Sequence, residues 1–470
     1  MKAMRTTRSD ATSIESRAWT SVRLLSFALP PSLLILLVFI GCEQRGALAR
    51  ATDGGADPAI AVASADVDTA NWPLPPSKEP EVRVRFSVRA AGVEPFHLGV
   101  AGQPLLLLDG AVGRPWLLDG PLDVAVAGSG WAVLDGAGRR IAIEHLGPLS
   151  IRTLGGRSPR IEFEDGQLPG SIELIPRSTD PIQIDLVTRI QIEAYLPGVL
   201  EGELFGSWSL PTFQAQAIAA RSYAVAEAAF WGPRRHFDLV AGPASQAWTG
   251  LEASPRALEA VESTRGMVLL HSGRVIPAYY SSCCGGRSAS AHQSISDRSS
   301  HKIQPLQARV GDHGTCCEEA SVRDWTLSFE LGAVSNACAR WGRTHGEKAL
   351  SELGRLRSVD LVDSNPAGRP LRFKLVDRAG RSAVIKANDM RRLLGTVERA
   401  DGGAPAQVRS DDLRLRVRDG RLHVTGSGYG HGVGLCQYGT QAMAAEGADW
   451  AAILARYYPG AEPTQVWSRN

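Results

Sequence analysis

The hydrophobic period of this chain changes once, near residue 195, and that change limits the possible folds more than any other feature. From Glu81 the pattern has period two, with Val82, Val84, Phe86 and Val88 alternating with Arg83, Arg85 and Ser87. Such alternation puts apolar side chains on one face of a half-buried strand. Short runs of the same kind, broken by Gly and Pro, continue to about Ile192. After Tyr195-Leu196-Pro197-Gly198 the texture is different: Pro211 opens an Ala-rich segment, PTFQAQAIAARSYAVAEAAF, that reads as a helix to about Trp231. Proline suits a first helical position because its missing N–H has no partner there in any case. At 100° per residue Gln214 and Arg221 fall on one line, flanked by Ala217, Ile218, Ala224 and Val225, while Ala215, Ala219 and Ala226 occupy a second side. The helix is therefore expected to be buried on more than one face. A guanidinium in such a stripe needs a carboxylate or several carbonyls, because an unpaired buried charge is strongly unfavourable.

Downstream, residues 256–280 read as a short helix, a turn at Gly266 and a strand pair, and 357–388 as a hairpin followed by a short helix, DMRRLLG. The last segment joins the strands Leu413–Val417 and Arg421–Thr425 to a Gly-rich loop and a final helix from about Gln441 to Tyr457. Helices and strands mix without strict alternation, which predicts an α+β class: mixed β-rich domains, a core with a buried Ala-rich helix, and a Gly-rich C-terminal loop followed by a helix. A length of 470 residues suits two to four domains. The expected divisions are 1–42 as a signal segment, 43–80 as a linker, 81–180 as an N-terminal β-rich domain and 181–465 as a second domain. With 51 Lys and Arg against 49 Asp and Glu the net charge is +2, so no cationic field favours nucleic acid as a partner.

Arg5, Arg8, Arg17 and Arg23 precede an apolar run that is densest from Leu33 to Ile40 and ends in Gly41-Cys42. The run is short, and Pro30 and Pro31 interrupt it, whereas a bilayer-spanning helix needs about 20 apolar residues. It reads as an export signal, with an uncleaved anchor as the alternative. Phe39-Ile40-Gly41-Cys42 also resembles a bacterial lipoprotein box, which implies lipidation of Cys42 and attachment to a membrane. Either way the chain is expected outside the cytoplasm, in the periplasm or cell envelope. Six further cysteines remain, Cys283, Cys284, Cys316, Cys317, Cys338 and Cys436. In an exported chain they read first as disulfides. Cross-linking the two vicinal pairs would close a loop worth about 3–4 kcal/mol in the chain-entropy picture. The alternative is a thiolate zinc site at Cys283, Cys284, Cys316 and Cys317, helped by His313 or His292, although adjacent cysteines lack the spacer of common zinc knuckles.

The loop GSGYGHGVGLCQYG fails the dinucleotide fingerprint at its third glycine, and no Lys-Ser/Thr follows for a phosphate loop. Glycine at every second position instead suggests close backbone approach, to a strand or to a sugar-like ligand. Zinc-protease, α/β-hydrolase and penicillin-binding motifs are absent from the sequence. The strongest constellation is YLPGVLEGEL (195–204) followed by FQAQAIAARSYA (213–224), then SQAWTG (245–250), AYYSSCCGG (278–286) and GYGHGVGLCQYGTQAMA (428–444). These five motifs, in this order over about 190–460, resemble the stage II sporulation protein D family, the peptidoglycan lytic transglycosylases and their amidase-enhancer relatives.

That resemblance implies a wall enzyme cleaving the MurNAc–GlcNAc bond of peptidoglycan glycan strands and leaving 1,6-anhydroMurNAc ends, with no cofactor. It implies Glu203 as the single catalytic acid/base, Glu201 being nearby but outside the alignment. One carboxyl suffices if it protonates the glycosidic oxygen and then takes a proton from the sugar's own C6 hydroxyl, so the second carboxylate of common glycosidases is not required. Leu204, Phe205 and Trp208 are candidates for an apolar wall that raises its pKa. Arg221, 18 positions after Glu203, matches a family Ala-Arg and is expected to act in catalysis by holding the sugar or the segment carrying Glu203. A salt bridge to Glu203 itself would depress its pKa. Gln214, where many relatives have Lys, is expected with Gln246, His431, Gln437 and Tyr438 to line the groove. The alternative is a non-catalytic relative that binds glycan strands or enhances a cell-wall amidase as its partner.

Overall fold

The computed structural model describes residues 72–469, apart from 93, 155–159, 164–165, 170, 251–252, 310–316, 399–402 and 404. The expected signal segment with Cys42, the part of the expected linker up to residue 71, His313 and Cys316 lie outside the described residues. The class is α+β. In chain order the helices are α1 (Ile192–Glu203), α2 (Leu210–Trp231), α3 (Pro255–Ser263), α4 (Ala291–Ser294), α5 (Leu331–His345), α6 (Lys348–Ser351), α7 (Ala387–Leu394), α8 (Gln437–Ala445) and α9 (Trp450–Tyr457). Among the described residues no helix is long and apolar enough to cross a membrane.

The period-two region folds as expected into strands. A seven-stranded sheet runs in the order Leu239–Val240, Glu81–Ala90, Gln183–Gln191, Ser171–Arg177, Leu149–Thr153, Pro104–Asp109, Pro115–Asp119, and a six-stranded sheet is built from Phe96–Leu98 and its neighbours between residues 122 and 169. Val82 and Val84 are buried, but Val88 is 40% exposed. The antiparallel register slips between Arg85 and Ser87, leaving Phe86 as a bulge residue that turns the rest of the strand over.

The division expected at 180/181 falls where the chain makes no break. Gln183–Gln191 pairs on one side with Glu81–Ala90 and on the other with Ser171–Arg177, so both sides of the boundary share one sheet. A single hydrophobic core runs from Val82 to Trp467. The second core lies elsewhere, in a lobe of residues 324–427 around Trp325, Phe329, Phe373, Leu375, Met390 and Val424. Fully buried Arg369 straps this lobe to the first, donating to Asp411 on its own side and to the carbonyls of Cys284 and Arg287 across the seam. Arg287 returns a bidentate pair to Asp412 at 2.7 and 2.8 Å.

α2 is the central helix, lying against α1, α3, α8, α9 and the strand Met267–His271. From Thr212 to Ala226 nearly every one of its side chains is buried, as the Ala-rich composition predicts. The single C-terminal helix expected from 441 to 457 is two helices, α8 and α9, broken at Gly447, whose φ is +95°. The Gly-rich loop meets a strand. Tyr280–Ser281 pairs in parallel with Leu435–Cys436, and a Cβ at Gly434 would stand 2.0 Å from the Tyr279 carbonyl oxygen, at a φ of +67°. Gly434→Ala is therefore expected to cost at least about 1–3 kcal/mol through strain and steric conflict. Urea unfolding checks this, and an unchanged midpoint would contradict the close approach.

Candidate functional site

Glu203 is the last residue of α1, where the free carbonyls give the helix end partial negative charge that disfavours ionisation. Its half-buried carboxylate accepts from three donors supplied by three separate segments. Ala247 N–H reaches Oε1 at 2.7 Å, the Tyr280 hydroxyl reaches Oε1 at 3.4 Å, and Gln437 Nε2 reaches Oε2 at 2.9 Å. Gly202 makes the first contact possible, since a Cβ there would lie 2.7 Å from the Ala247 carbonyl oxygen. Burial raises the Glu203 pKa, and the bonds from Ala247, Gln437 and Tyr280 pull the other way without cancelling it. The result is a carboxyl that holds its proton above the ordinary glutamate range, on a site that can both donate and accept one.

Beneath the carboxylate lies a buried polar layer. Tyr195 donates its hydroxyl to Gln246 Oε1 at 3.1 Å, and Gln246 Nε2 donates to the Ala220 carbonyl. Burial raises the Tyr195 and Tyr280 phenols well above their ordinary value, so both remain neutral donors. Trp248 and Tyr223 are core side chains. Glu201 points elsewhere, accepting from Ser254 N–H ahead of α3.

The sequence-predicted residues divide. Gln437 sits directly on the carboxylate, holding it in place. Tyr438 joins Phe205 and Trp208 in a cluster of edge-to-face rings 5.2–6.0 Å apart. His431 accepts from Val433 N–H at Nδ1 and is set edge-on to Tyr279, so its shown contacts lie within the Gly-rich loop and with the residue before Tyr280 instead of with the carboxylate. Burial pushes its pKa down to about 4, so the ring is neutral at physiological pH. Gln246 is fully buried and supports the site from below, in place of the expected groove lining. Gln214 is turned away toward α3, where it donates to Ser263, because α2 presents that edge to its neighbouring helix.

Of the two roles expected for Arg221, its contacts match a hold on the segment carrying Glu203 rather than on the sugar. It is fully buried and makes a two-point pair with Glu193, at 3.1 Å from Nε to Oε1 and 2.7 Å from Nη2 to Oε2. It further donates to the Met267 and Val261 carbonyls, while Glu193 also accepts from Gly266 N–H and the Trp467 indole. The apolar stripe required a carboxylate, and the first turn of α1 supplies it. Arg221 thus grips the helix whose other end carries Glu203, as a positioning residue. Sequence reasoning missed Tyr280 and the Ala247 amide. Both lie in motifs that carry the resemblance, AYYSS and SQAWTG, but no pattern in one chain ties a tyrosine or a backbone N–H to a glutamate 44 or 77 residues away.

The thiols converge behind the same elements. The Sγ atoms of Cys283, Cys317 and Cys436 lie within 4.8 Å of one another, and Cys284 Sγ is 3.9 Å from Cys317 Sγ. Among the described residues these four are free thiols, as is Cys338 in the second lobe, while Cys316, a partner in the expected vicinal cross-links, lies outside the described residues. Cys436 joins the group, which the reading of vicinal pairs overlooked. Hydrogen bonds from the surrounding thiols draw the Cys317 pKa down, while that of Cys283 is pushed up to about 12. Three or four sulfurs at this spacing suit a soft, tetrahedral ion such as zinc. Cys436 immediately precedes Gln437 and Cys283 follows Tyr280 by three positions, so a link among the sulfurs would tie together two segments that hold Glu203.

Residues 182–271 match the family Stage II sporulation protein (SpoIID), a span that holds Glu193, Glu203, Arg221 and Gln246. An uncharacterized protein of Brachyspira hyodysenteriae is 28% identical over 331 residues, covering 68% of this chain and 81% of that one. The amidase enhancer of Bacillus subtilis is 25% identical over 289 residues, 56% of this chain but only 39% of its own length. The stage II sporulation protein D of Bacillus amyloliquefaciens is 21% identical over 332 residues, 67% and 84% of the two chains.

Replacing Arg221 by Met leaves Glu193 buried without its cation and is expected to cost about 3–5 kcal/mol of stability. Urea unfolding measures it, and the double substitution with Glu193→Gln should recover part of the loss. Full stability in Arg221→Met would contradict the positioning role.

Proposed function

We propose that this chain, which carries a SpoIID domain over residues 182–271, is an envelope protein that cleaves the MurNAc–GlcNAc bonds of peptidoglycan as a lytic transglycosylase, with Glu203 as its single acid/base. The observation that carries the reading is the Glu203 carboxyl, protonated more readily than an ordinary glutamate yet held by three fixed donors. In its protonated form Glu203 gives its proton to the glycosidic oxygen as the C1–O bond breaks. The carboxylate then takes the proton of the C6 hydroxyl, whose oxygen closes on C1 to form the 1,6-anhydro ring. The proton count is unchanged over the turnover and no water enters. Ala247 N–H, Tyr280 and Gln437 stabilise the carboxylate between the two transfers and keep it aimed.

Export and lipidation at Cys42 belong to the same proposal, because the substrate lies outside the cytoplasm. An ion held by Cys283, Cys317 and Cys436, with Cys284 nearby, would serve as a structural clasp. The similarity to a protein named amidase enhancer supports a second reading, in which the face around Glu203 binds strands and acts through a wall amidase.

Peptide-stripped glycan strands, incubated with the protein and followed by mass analysis, separate the two. The enzyme reading predicts anhydro-muramyl ends, and Glu203→Gln should lower their rate of appearance by about 10²–10⁴-fold. Strands bound but never cut, by wild type and variant alike, would transfer the case to the enhancer. A second expectation concerns pH. Glu203 must carry its proton to start the reaction, so kcat/KM falls as pH rises through its pKa. Gln437 favours the charged form, and its loss in Gln437→Leu should move the falling limb to higher pH. A limb that stays in place or moves down would contradict the role given to Gln437.

A further inference from the structure

Among the large apolar side chains that the described residues leave exposed, Phe205 is the only aromatic ring, at 54%; the others are aliphatic. It stands two positions after Glu203, and its ring partner Tyr438 stands one position after Gln437, which donates to the carboxylate, so the ring cluster is built from two of the segments that meet at Glu203. The cluster is fixed in place. Trp208 packs edge-on to both other rings at 5.2 Å. The loop that carries Phe205 and Trp208 is pinned to α8 by Gln441, whose Oε1 accepts from Ser209 N–H and Thr212 Oγ1, and to α3 by Arg256, which donates to the Gly206 carbonyl at 2.6 Å. Gly206, beside the ring, has open space over it, with nothing within 4 Å of a Cβ built there.

We propose that Phe205, backed by Trp208 and Tyr438, is a stacking subsite for one hexosamine ring of a glycan strand, next to the bond that Glu203 cleaves. The inference rests on the reading of Glu203 given above and adds the way the substrate is held. Leaving a phenyl ring in water forgoes burial that stabilises most aromatic residues, so an immobilised, outward-facing ring beside a polar catalytic group suits a ligand with one apolar face and a polar rim. A pyranose has that form: its axial C–H bonds make an apolar face and its hydroxyls point outward, where they meet the carboxyl and the exposed backbone of Gly206 and Ser207. The edge-to-face contacts hold the ring before the ligand arrives, so little conformational freedom is lost on binding. Continuity with the Glu203 site favours the sugar over an apolar segment of another protein.

The test uses the full chain in a Glu203→Gln background, so that strands persist, and titrates peptide-stripped glycan strands calorimetrically. Phe205→Ala is expected to weaken binding by about tenfold, and Phe205→Trp to stay within about threefold, as for loss and retention of one aromatic stack. With Glu203 intact, Phe205→Ala should raise KM more than it lowers kcat. Because Phe205 is more than half exposed, Phe205→Ala should stay folded with only a small drop in urea midpoint from its lost edge-to-face contacts, and Phe205→Trp should keep the parental midpoint. Unchanged strand affinity in Phe205→Ala would overturn the subsite while leaving the enzyme reading untouched, provided strands are still cut. Phe205-dependent binding with no cutting by the Glu203 protein would keep the subsite and end the enzyme reading. A parent that self-associates through this face, seen as a Phe205-dependent change in sedimentation, would overturn the subsite in favour of a second copy.

Discussion

The ion pair between Arg221 and Glu193 is the constraint on which the Glu203 end of the molecule depends. Both side chains are buried, and a pair in that position survives only when its remaining hydrogen-bonding capacity is met. Here the Met267 and Val261 carbonyls meet that of the arginine, and Gly266 N–H with the Trp467 indole meet that of the glutamate. One buried node therefore joins α1, α2, the end of α3, the strand from Met267 and the C-terminal segment. α1 is only three turns long, so fixing Glu193 in its first turn fixes the direction in which Glu203 leaves its last.

At that far end the balance of forces is different. The Glu193 carboxylate is matched by a cation, whereas the donors to Glu203 among the described residues are neutral: an amide N–H, a phenol and a carboxamide. Neutral donors orient a carboxylate without imposing the large downward pKa shift that an arginine at contact distance would bring. The two glutamates of one helix thereby take different parts, one tied to a buried guanidinium in the scaffold, the other set among neutral donors with its pKa raised by burial. The Gly-rich loop completes the arrangement by letting Leu435–Cys436 lie against Tyr280–Ser281, which delivers Gln437 and Tyr280 to the same carboxyl. The second lobe enters through Arg369, whose bonds to the Cys284, Arg287 and Gly430 carbonyls brace that loop from behind.

What was legible in the sequence follows from how local each cause is. The Ala-rich helix, its burial on several faces and the need of Arg221 for a counter-charge are written in a window of some twenty residues. The identity of the counter-charge is not, because Glu193 sits on another helix and reaches Arg221 only through tertiary packing. The alternation from Glu81 was read correctly as a strand, but the bulge at Phe86 is set by register against Gln183–Gln191, so the outward turn of Val88 was hidden. The glycines of the C-terminal loop announced a close approach without naming its partner. The hairpin at 357–388, the helix after it and the strands at 413–425 were read one by one, but their assembly into a lobe was not, because Phe373 and Met390 meet Trp325, Phe329 and Val424 only through tertiary packing. Glu203 and Gln437 were reached through the resemblance; Tyr280 and the backbone of Ala247 needed three dimensions.

The central claim is the ionisation of one side chain. A direct measurement is the pH titration of the Glu203 carboxyl carbon by NMR in protein carrying ¹³C-labelled glutamate, assigned by its disappearance in Glu203→Gln. A midpoint above that of exposed glutamates in the same spectrum is the expected result. A midpoint at or below theirs would mean that the carboxyl is an ordinary anion, and would contradict its role as the acid.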